Sequence, residues 1–174
     1  MTETCKVVFL NGTSSSGKTS IAKHLQELLL PDIYLNFSID SILYALPPSA
    51  LKRMTTGQDI SDLRYDTLVE AYYSCARTLV VSGHHLIMDD AVTGVQSAAM
   101  VKRHLEDLHP VMVGVHCDLQ VLKARELNRG DRTIGEAEWQ FPTIHSHIKY
   151  DIEVDTTTTS AIQVAENIAT ILKG

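Results

Sequence analysis

The chain has 174 residues and a mass of 19.3 kDa, the size of one domain that buries roughly 70% of the surface its unfolded chain exposes, which excludes two large domains. With 44% hydrophobic and 21% charged residues the composition is that of a folded globular protein and excludes a disordered or fibrous one. Lys+Arg number 15 against 21 Asp+Glu, a net charge of -6, so no bulk positive field holds a phosphate backbone and nucleic acid is not expected as a partner.

The N-terminus lacks the basic start and long apolar run of a signal peptide, and no stretch approaches a membrane span. The expectation is a cytoplasmic protein without membrane attachment. Cys5, Cys75 and Cys117 are odd in number, far apart and set in apolar surroundings, which predicts buried free thiols.

Along the chain, Lys6 to Asn11 is almost wholly apolar, as in a parallel strand buried on both faces. A glycine-rich loop follows, and Ile21, Leu25, Leu28 and Leu29 then recur at helical spacing until Pro31. Residues 33 to 39 predict a second strand and Ile42, Leu43 and Leu46 a short helix, while residues 47 to 62, with two prolines and a glycine, predict an exposed connection. Leu68, Tyr72, Ala76, Leu79 and Val80 mark one face of a longer helix, and Leu86, Ile87 and Met88 a third strand ending at Asp89. A helix from Gln96 to Leu108, a strand from Val111 to Cys117 and a helix capped by Asp118 continue the alternation. Beyond Arg129 to Arg132 come a helical piece, a strand at Ile152 to Val154 and a last helix capped at Thr159 or Ser160. Strands alternating with helices predict an α/β fold, a parallel sheet covered on both faces.

Gly12-Thr13-Ser14-Ser15-Ser16-Gly17-Lys18-Thr19 matches GxxxxGK[ST], the Walker A phosphate loop, with a strand before it and an amphipathic helix after it. Its backbone N–H groups and the positive end of the helix suit an anion. Lys18 is expected to reach the terminal phosphates of ATP, Thr19 to ligate Mg²⁺, and Ser14, Ser15 and Ser16 to add donors. Asp89 resembles a Walker B acid that holds the metal, with a turn acid as the alternative and Asp90 beside it as the competing ligand. Asp40 ends the second strand, where ligands sit in open α/β sheets, and is either the acceptor of a substrate hydroxyl's proton or a helix cap. Arg129 and Arg132, with Arg125 one turn earlier, form either a phosphate clamp or a solvated basic turn paired with Glu126 and Asp131. His84-His85 and His145-Ser146-His147 lack zinc spacing and read as solvated or hydrogen-bonded histidines. Trp139, Phe141 and Tyr150 are expected in a core or lid.

The segments FLNGTSSSGKTS at 9 to 20, SIDSI at 38 to 42, LIMDD at 86 to 90, NRGDR at 128 to 132 and YDIEVDTT at 150 to 157 resemble the chloramphenicol phosphotransferase family of P-loop kinases. The resemblance covers most of the chain. It implies a nucleotide-kinase-like five-stranded parallel sheet of order 2-3-1-4-5 in a single domain spanning 1–174, with a lid at about 125–148 between the fourth and fifth strands. By position it makes Asp40 the general base, Lys18 the phosphate-loop lysine, and Arg129 and Arg132 the lid arginines. Gly12, Gly17 and Ser20 join Ser14 to Thr19 around the nucleotide, Val154, Asp155 and Thr156 lie near the adenine, and His145 and Tyr150 match without an implied role. Residues 47 to 64 depart from the family pattern.

The resulting expectation is an ATP- and Mg²⁺-dependent O-phosphotransferase acting on a hydroxylated small molecule, either chloramphenicol, as antibiotic inactivation, or a related metabolite. A sugar-nucleotide or nucleoside kinase and a non-catalytic ATP-binding regulatory module are the alternatives.

Overall fold

Six consecutive buried residues, Val7–Gly12, form β1, the middle strand of a five-stranded parallel sheet. The structure, a computed structural model, describes residues 6–129 and 134–174. In spatial order the strands are β2 (Tyr34–Ser38), β3 (His85–Asp90), β1, β4 (Val111–His116) and β5 (Ile152–Asp155), the expected 2-3-1-4-5. Phe9 of β1 lies opposite Met88 of β3 and Met112 of β4.

Successive side chains of a strand point to opposite faces, so an apolar strand with both faces covered feeds two cores. Val8 and Leu10 pack beneath α1 (Lys18–Leu28) and α8 (Ala161–Lys173) with Ile21, Leu25, Ala165 and Ile168. Val7 and Phe9 pack on the other face beneath α4 (Tyr65–Val81) and α5 (Val95–Leu105) with Tyr72, Tyr73, Ala76, Val101 and Leu105. A third, small cluster joins Cys117, just after β4, to Leu122 of α6 (Leu119–Arg129) and Ala137 of α7 (Glu136–Gln140). Asp118 caps α6, its carboxylate accepting from Gln120 N and Val121 N. Ser160 caps α8 in a reciprocal box with Gln163.

Two expectations need correction. Residues 47–62 are not merely a connection: Pro48–Thr55 form α3, and Ser61–Leu63 a 3-10 turn. Pro48 sits at the helix start, where a missing N–H costs nothing, and the Arg53 guanidinium ties the segment together through Asp62, at 3.0 and 2.8 Å, and the Asp59 carbonyl. Cys117 is buried as expected, but Cys75 is exposed. The helical period of α4 explains this: Tyr72, Tyr73, Ala76 and Val80 face the core, and position 75 turns outward. Cys5 lies outside the described residues. No helix among the described residues is long and apolar enough to cross a membrane.

Because β1 is followed in the chain by β2 but in space by β3 on one side and β4 on the other, the helices leave a crevice at the carboxyl ends of these strands. Asn11, Gly12, Ser38, Asp89, Asp90 and His116 all reach that edge.

Candidate functional site

The phosphate loop leaves β1 at Gly12, and α1 starts at Lys18. A Cβ on Gly12 would stand 2.5 Å from the Val115 carbonyl oxygen, so a larger residue would push the loop off β4. Ser15 and Gly17 adopt positive φ values of 65° and 93°, which curl the backbone ahead of the helix. Lys18 is buried, and its ammonium donates to the carbonyls of Gly12 (2.8 Å) and Thr13 (3.0 Å), with Asp89 Oδ1 3.9 Å away. The Thr19 hydroxyl donates to Asp89 Oδ2 at 2.6 Å. Asp90 is turned elsewhere: it accepts from Tyr73 OH and from Ala91 N, and burial raises its carboxyl above the usual range. Asp89 is therefore the acid that meets the phosphate loop, with two hard oxygen donors side by side at Thr19 and Asp89.

Those oxygens suit Mg²⁺, which keeps most of its octahedral shell for water and phosphate. Among the described residues no group of three or more His, Cys, Asp or Glu could hold a metal by protein side chains alone. A cation here would share Thr19 and Asp89 with a nucleotide.

A cleft of about 610 Å³ opens over the loop. Ser14, Ser15, Gly17, Lys18, Thr19, Ser20 and Asp89 line its floor; Ser38, Ile39, Asp40, Tyr65, Tyr72 and Tyr73 line one wall, and Glu136, Trp139 and Gln140 of α7 overhang it. Gln140 Oε1 accepts from Ser14 N at 2.6 Å, and Glu136 accepts from the Ser14 hydroxyl at 3.3 Å.

A family model for chloramphenicol phosphotransferase-like proteins matches residues 5–173. The chain belongs to this family. Two Mycobacterium tuberculosis proteins whose names propose O-phosphotransferase activity are each 30% identical to it, over 94% of this chain and 80% of theirs. Among solved structures, a gluconokinase from Sinorhizobium meliloti superposes with a TM-score of 0.69 at 15% identity, covering 98% of this chain and 93% of that one. The Mycobacterium tuberculosis APS kinase, in complex with AMPPNP and APS, also gives 0.69, at 17% identity with 98% and 99% covered. These likenesses establish the P-loop kinase fold, and family membership makes the protein an enzyme, a small-molecule kinase.

In this chloramphenicol phosphotransferase-like protein the cleft gathers Asp40, Lys18, Thr19, Asp89 and the loop serines at positions 14, 15 and 20. Asp40 is the first residue of α2 (Asp40–Leu43); Ile39 occupies the cap position, with no side-chain cap bond, so Asp40 is not the helix cap. Ser16 is buried and does not line the cleft, and its carbonyl accepts from Thr156 Oγ1 at 2.9 Å. The Arg129 side chain and residues 130–133, including Arg132, lie outside the described residues. Arg125 does not join a phosphate clamp: its guanidinium donates to the Thr156 carbonyl at 2.7 Å and approaches Cys117 Sγ. Nor does Glu126 pair with it. Glu126 is buried and accepts from the N–H groups of Gly135 and Ala137, anchoring the start of α7.

Sequence reasoning missed Tyr65, Tyr73, Glu136 and Gln140 as parts of the cleft. Tyr73 carried the signal of a core residue, which it also is, and only its hydroxyl reaches Asp90. Gln140 carried none, because its partner Ser14 is 126 positions away.

Proposed function

We propose that this protein transfers the γ-phosphate of ATP to a hydroxyl of an uncharged or amine-bearing small molecule. The observation that supports the reading is that Asp40 shares one cleft with Lys18 and Thr19 of the phosphate loop, so that a hydroxyl beside the carboxylate also lies beside the phosphates.

The acceptor oxygen attacks the γ-phosphorus, the bond from that phosphorus to the bridging oxygen breaks, ADP leaves, and the hydroxyl proton passes to Asp40. A carboxylate is a weak base for an alcohol, so alignment counts for more than basicity and the proton moves late. Lys18 gives up its carbonyl partners at Gly12 and Thr13 to take the terminal phosphates, which Arg129 and Arg132 close over from the lid. Gly12, Gly17 and the backbone of Ser14 to Ser16 and Ser20 cradle the nucleotide. The Thr19 hydroxyl and the Asp89 carboxylate would hold Mg²⁺, which when bound neutralises charge on the β- and γ-phosphates.

The cleft carries the carboxylates of Asp40, Asp89, Asp90 and Glu136 among Tyr65, Tyr72, Tyr73 and Trp139. Lys18 and Lys23, both on α1, are the cations that line the cleft among the described residues. Four carboxylates against two ammoniums among the described lining residues disfavour an acceptor that brings a further carboxylate or diphosphate. A neutral diol such as chloramphenicol, or an amino alcohol, meets no such cost, which weighs against a sugar nucleotide.

Phosphorus NMR with mass spectrometry tests the reading, using purified protein, Mg·ATP and a panel of chloramphenicol, amino alcohols, nucleosides and sugar nucleotides. A phosphorylated neutral or amine-bearing alcohol is the expected product. Exclusive phosphorylation of an anionic acceptor would overturn the charge argument, and tight ATP binding with no product across a growing panel would favour a regulatory role.

A further inference from the structure

Asn11 is the last residue before the phosphate loop, and its amide is fully buried in a strand that is otherwise apolar up to that point. Such a group is costly unless each polar atom finds a partner. Here each does. Oδ1 accepts from Val92 N at 2.8 Å, in the segment that follows Asp89 and Asp90. Nδ2 donates both hydrogens, one to the Ile144 carbonyl at 2.8 Å and one to the Tyr150 hydroxyl at 2.6 Å. One side chain thus joins the start of the phosphate loop, the exit of β3 and the stretch that returns from α7 to β5.

The donor order continues outward. The Tyr150 hydroxyl, which accepts from Asn11, lies 2.7 Å from His145 Nδ1 and donates its own hydrogen there when that nitrogen is unprotonated. That arrangement is the neutral imidazole with its proton on Nε2. Its surroundings favour that state: the ring is half-buried and lies 4.0 Å from the His116 ring, and Lys18 adds to the penalty on a positive charge. Glu153, the group of opposite sign nearby, is engaged by His116 Nε2 at 2.8 Å. The Tyr150 ring rests on the backbone of β4, where a Cβ on Gly114 would come within 2.7 Å of it.

The segment from α7 to β5 therefore meets the phosphate loop at two places of different character. At Ser14 the contact is Gln140 Oε1 on a backbone N–H inside the cleft, at a position a phosphate oxygen would claim. At Asn11 the contacts lie behind the loop: Asn11 and Tyr150 line no cleft wall, while His145 faces the neighbouring hollow with His116, Asp118 and Asp155. Nucleotide must displace the first, whereas the contacts of Asn11 with Val92, Ile144 and Tyr150 can stay intact. We infer that Asn11, Tyr150 and His145 are positioning residues forming the fixed pivot about which the α7 lid opens and closes over bound nucleotide, an inference that rests on the phosphotransfer reading above.

Trp139 is the single tryptophan, sits next to Gln140 and lines the cleft, so its fluorescence reports the lid without any knowledge of the acceptor. The full chain is titrated with Mg·ATP, followed by stopped-flow release of nucleotide and by turnover of ATP to water. Tyr150→Phe keeps the ring on Gly114 and removes the hydroxyl; His145→Leu removes the acceptor; His145→Asn replaces Nδ1 with a carbonyl oxygen. Release and hydrolysis are expected to rise about 3- to 10-fold in Tyr150→Phe and His145→Leu, the factor that loss of one hydrogen bond carries, and to stay near wild type in His145→Asn. Wild-type release and hydrolysis in both Tyr150→Phe and His145→Leu, even with a lowered Tm, would overturn the pivot and leave a packing role. Failure of the wild-type chain to bind Mg·ATP would instead overturn the phosphotransfer reading, and the pivot with it.

Discussion

The Thr156 hydroxyl donates to the Ser16 carbonyl at 2.9 Å, joining the loop after β5 to the phosphate loop across 140 positions of sequence. Thr156 is almost fully buried, and Arg125 holds its carbonyl from the other side. Replacing it with valine keeps the shape and strands the Ser16 carbonyl, which should cost about 1–2 kcal/mol of stability. The same change should weaken Mg·ATP binding severalfold by loosening the loop, whereas Thr156→Ser retains both properties. Urea unfolding and calorimetric titration of the two variants check this; equal losses in both would assign the effect to the methyl group.

Gln140 gives a prediction of unusual sign. Its Oε1 accepts from the Ser14 N–H, and its Nε2 donates to Glu136 at 3.0 Å. A ligand that must displace this oxygen binds more weakly by the strength of the contact, so Gln140→Ala should tighten Mg·ATP binding by about 3- to 10-fold. Equilibrium titration of Trp139 fluorescence decides it. Weaker binding in the alanine variant would mean that Gln140 contacts the phosphates directly.

Asp40 and Lys18 separate by what they leave intact. Asp40→Asn should reduce transfer by about 10²–10⁴-fold with nucleotide affinity nearly unchanged, the range for a general base. Lys18→Ala should impair transfer while also weakening the nucleotide, since its ammonium sits inside the loop between the Gly12 and Thr13 carbonyls and Asp89. Phosphate transfer to a panel acceptor and ATP affinity, measured on both variants, give the split; collapse of affinity in Asp40→Asn would place Asp40 with the metal or nucleotide.

What the sequence made legible was what is local. The apolar run before Gly12, the loop itself and the helical spacing after it all fall between Val7 and Leu28, and β3 announces Asp89 by the apolar residues that precede it. Where function depends on partners far apart, spacing is silent. Asn11 looks like one polar residue at a strand end until Ile144 and Tyr150, 133 and 139 positions later, fold against it. Arg125 shares the spacing of a phosphate clamp with Arg129, yet the β5 loop claims it. The prolines of residues 47–62 suggested a loop because Pro breaks helices, but at a first turn it begins one, and the Arg53–Asp62 pair that closes the segment lies beyond helical spacing.

His145 should make stability depend on pH in a defined window. Burial, and after it the neighbouring His116, pull its pKa from 6.5 down to about 4 in the folded protein. Between those values the unfolded chain binds more protons at this site than the folded one, so stability rises with pH. The contribution is fully present above about pH 6.5 and is lost as pH falls toward 4. Asp90, whose carboxyl is raised by burial, works in the opposite sense, but it is common to wild type and His145→Asn. The urea midpoint of the wild type minus that of His145→Asn should therefore fall from pH 7 to pH 5, because only the wild type carries the imidazole that must stay uncharged. A difference that is constant across this range would mean that His145 protonates as readily in the fold as in the unfolded chain, and that the Tyr150 hydroxyl does not depend on Nδ1 as its acceptor.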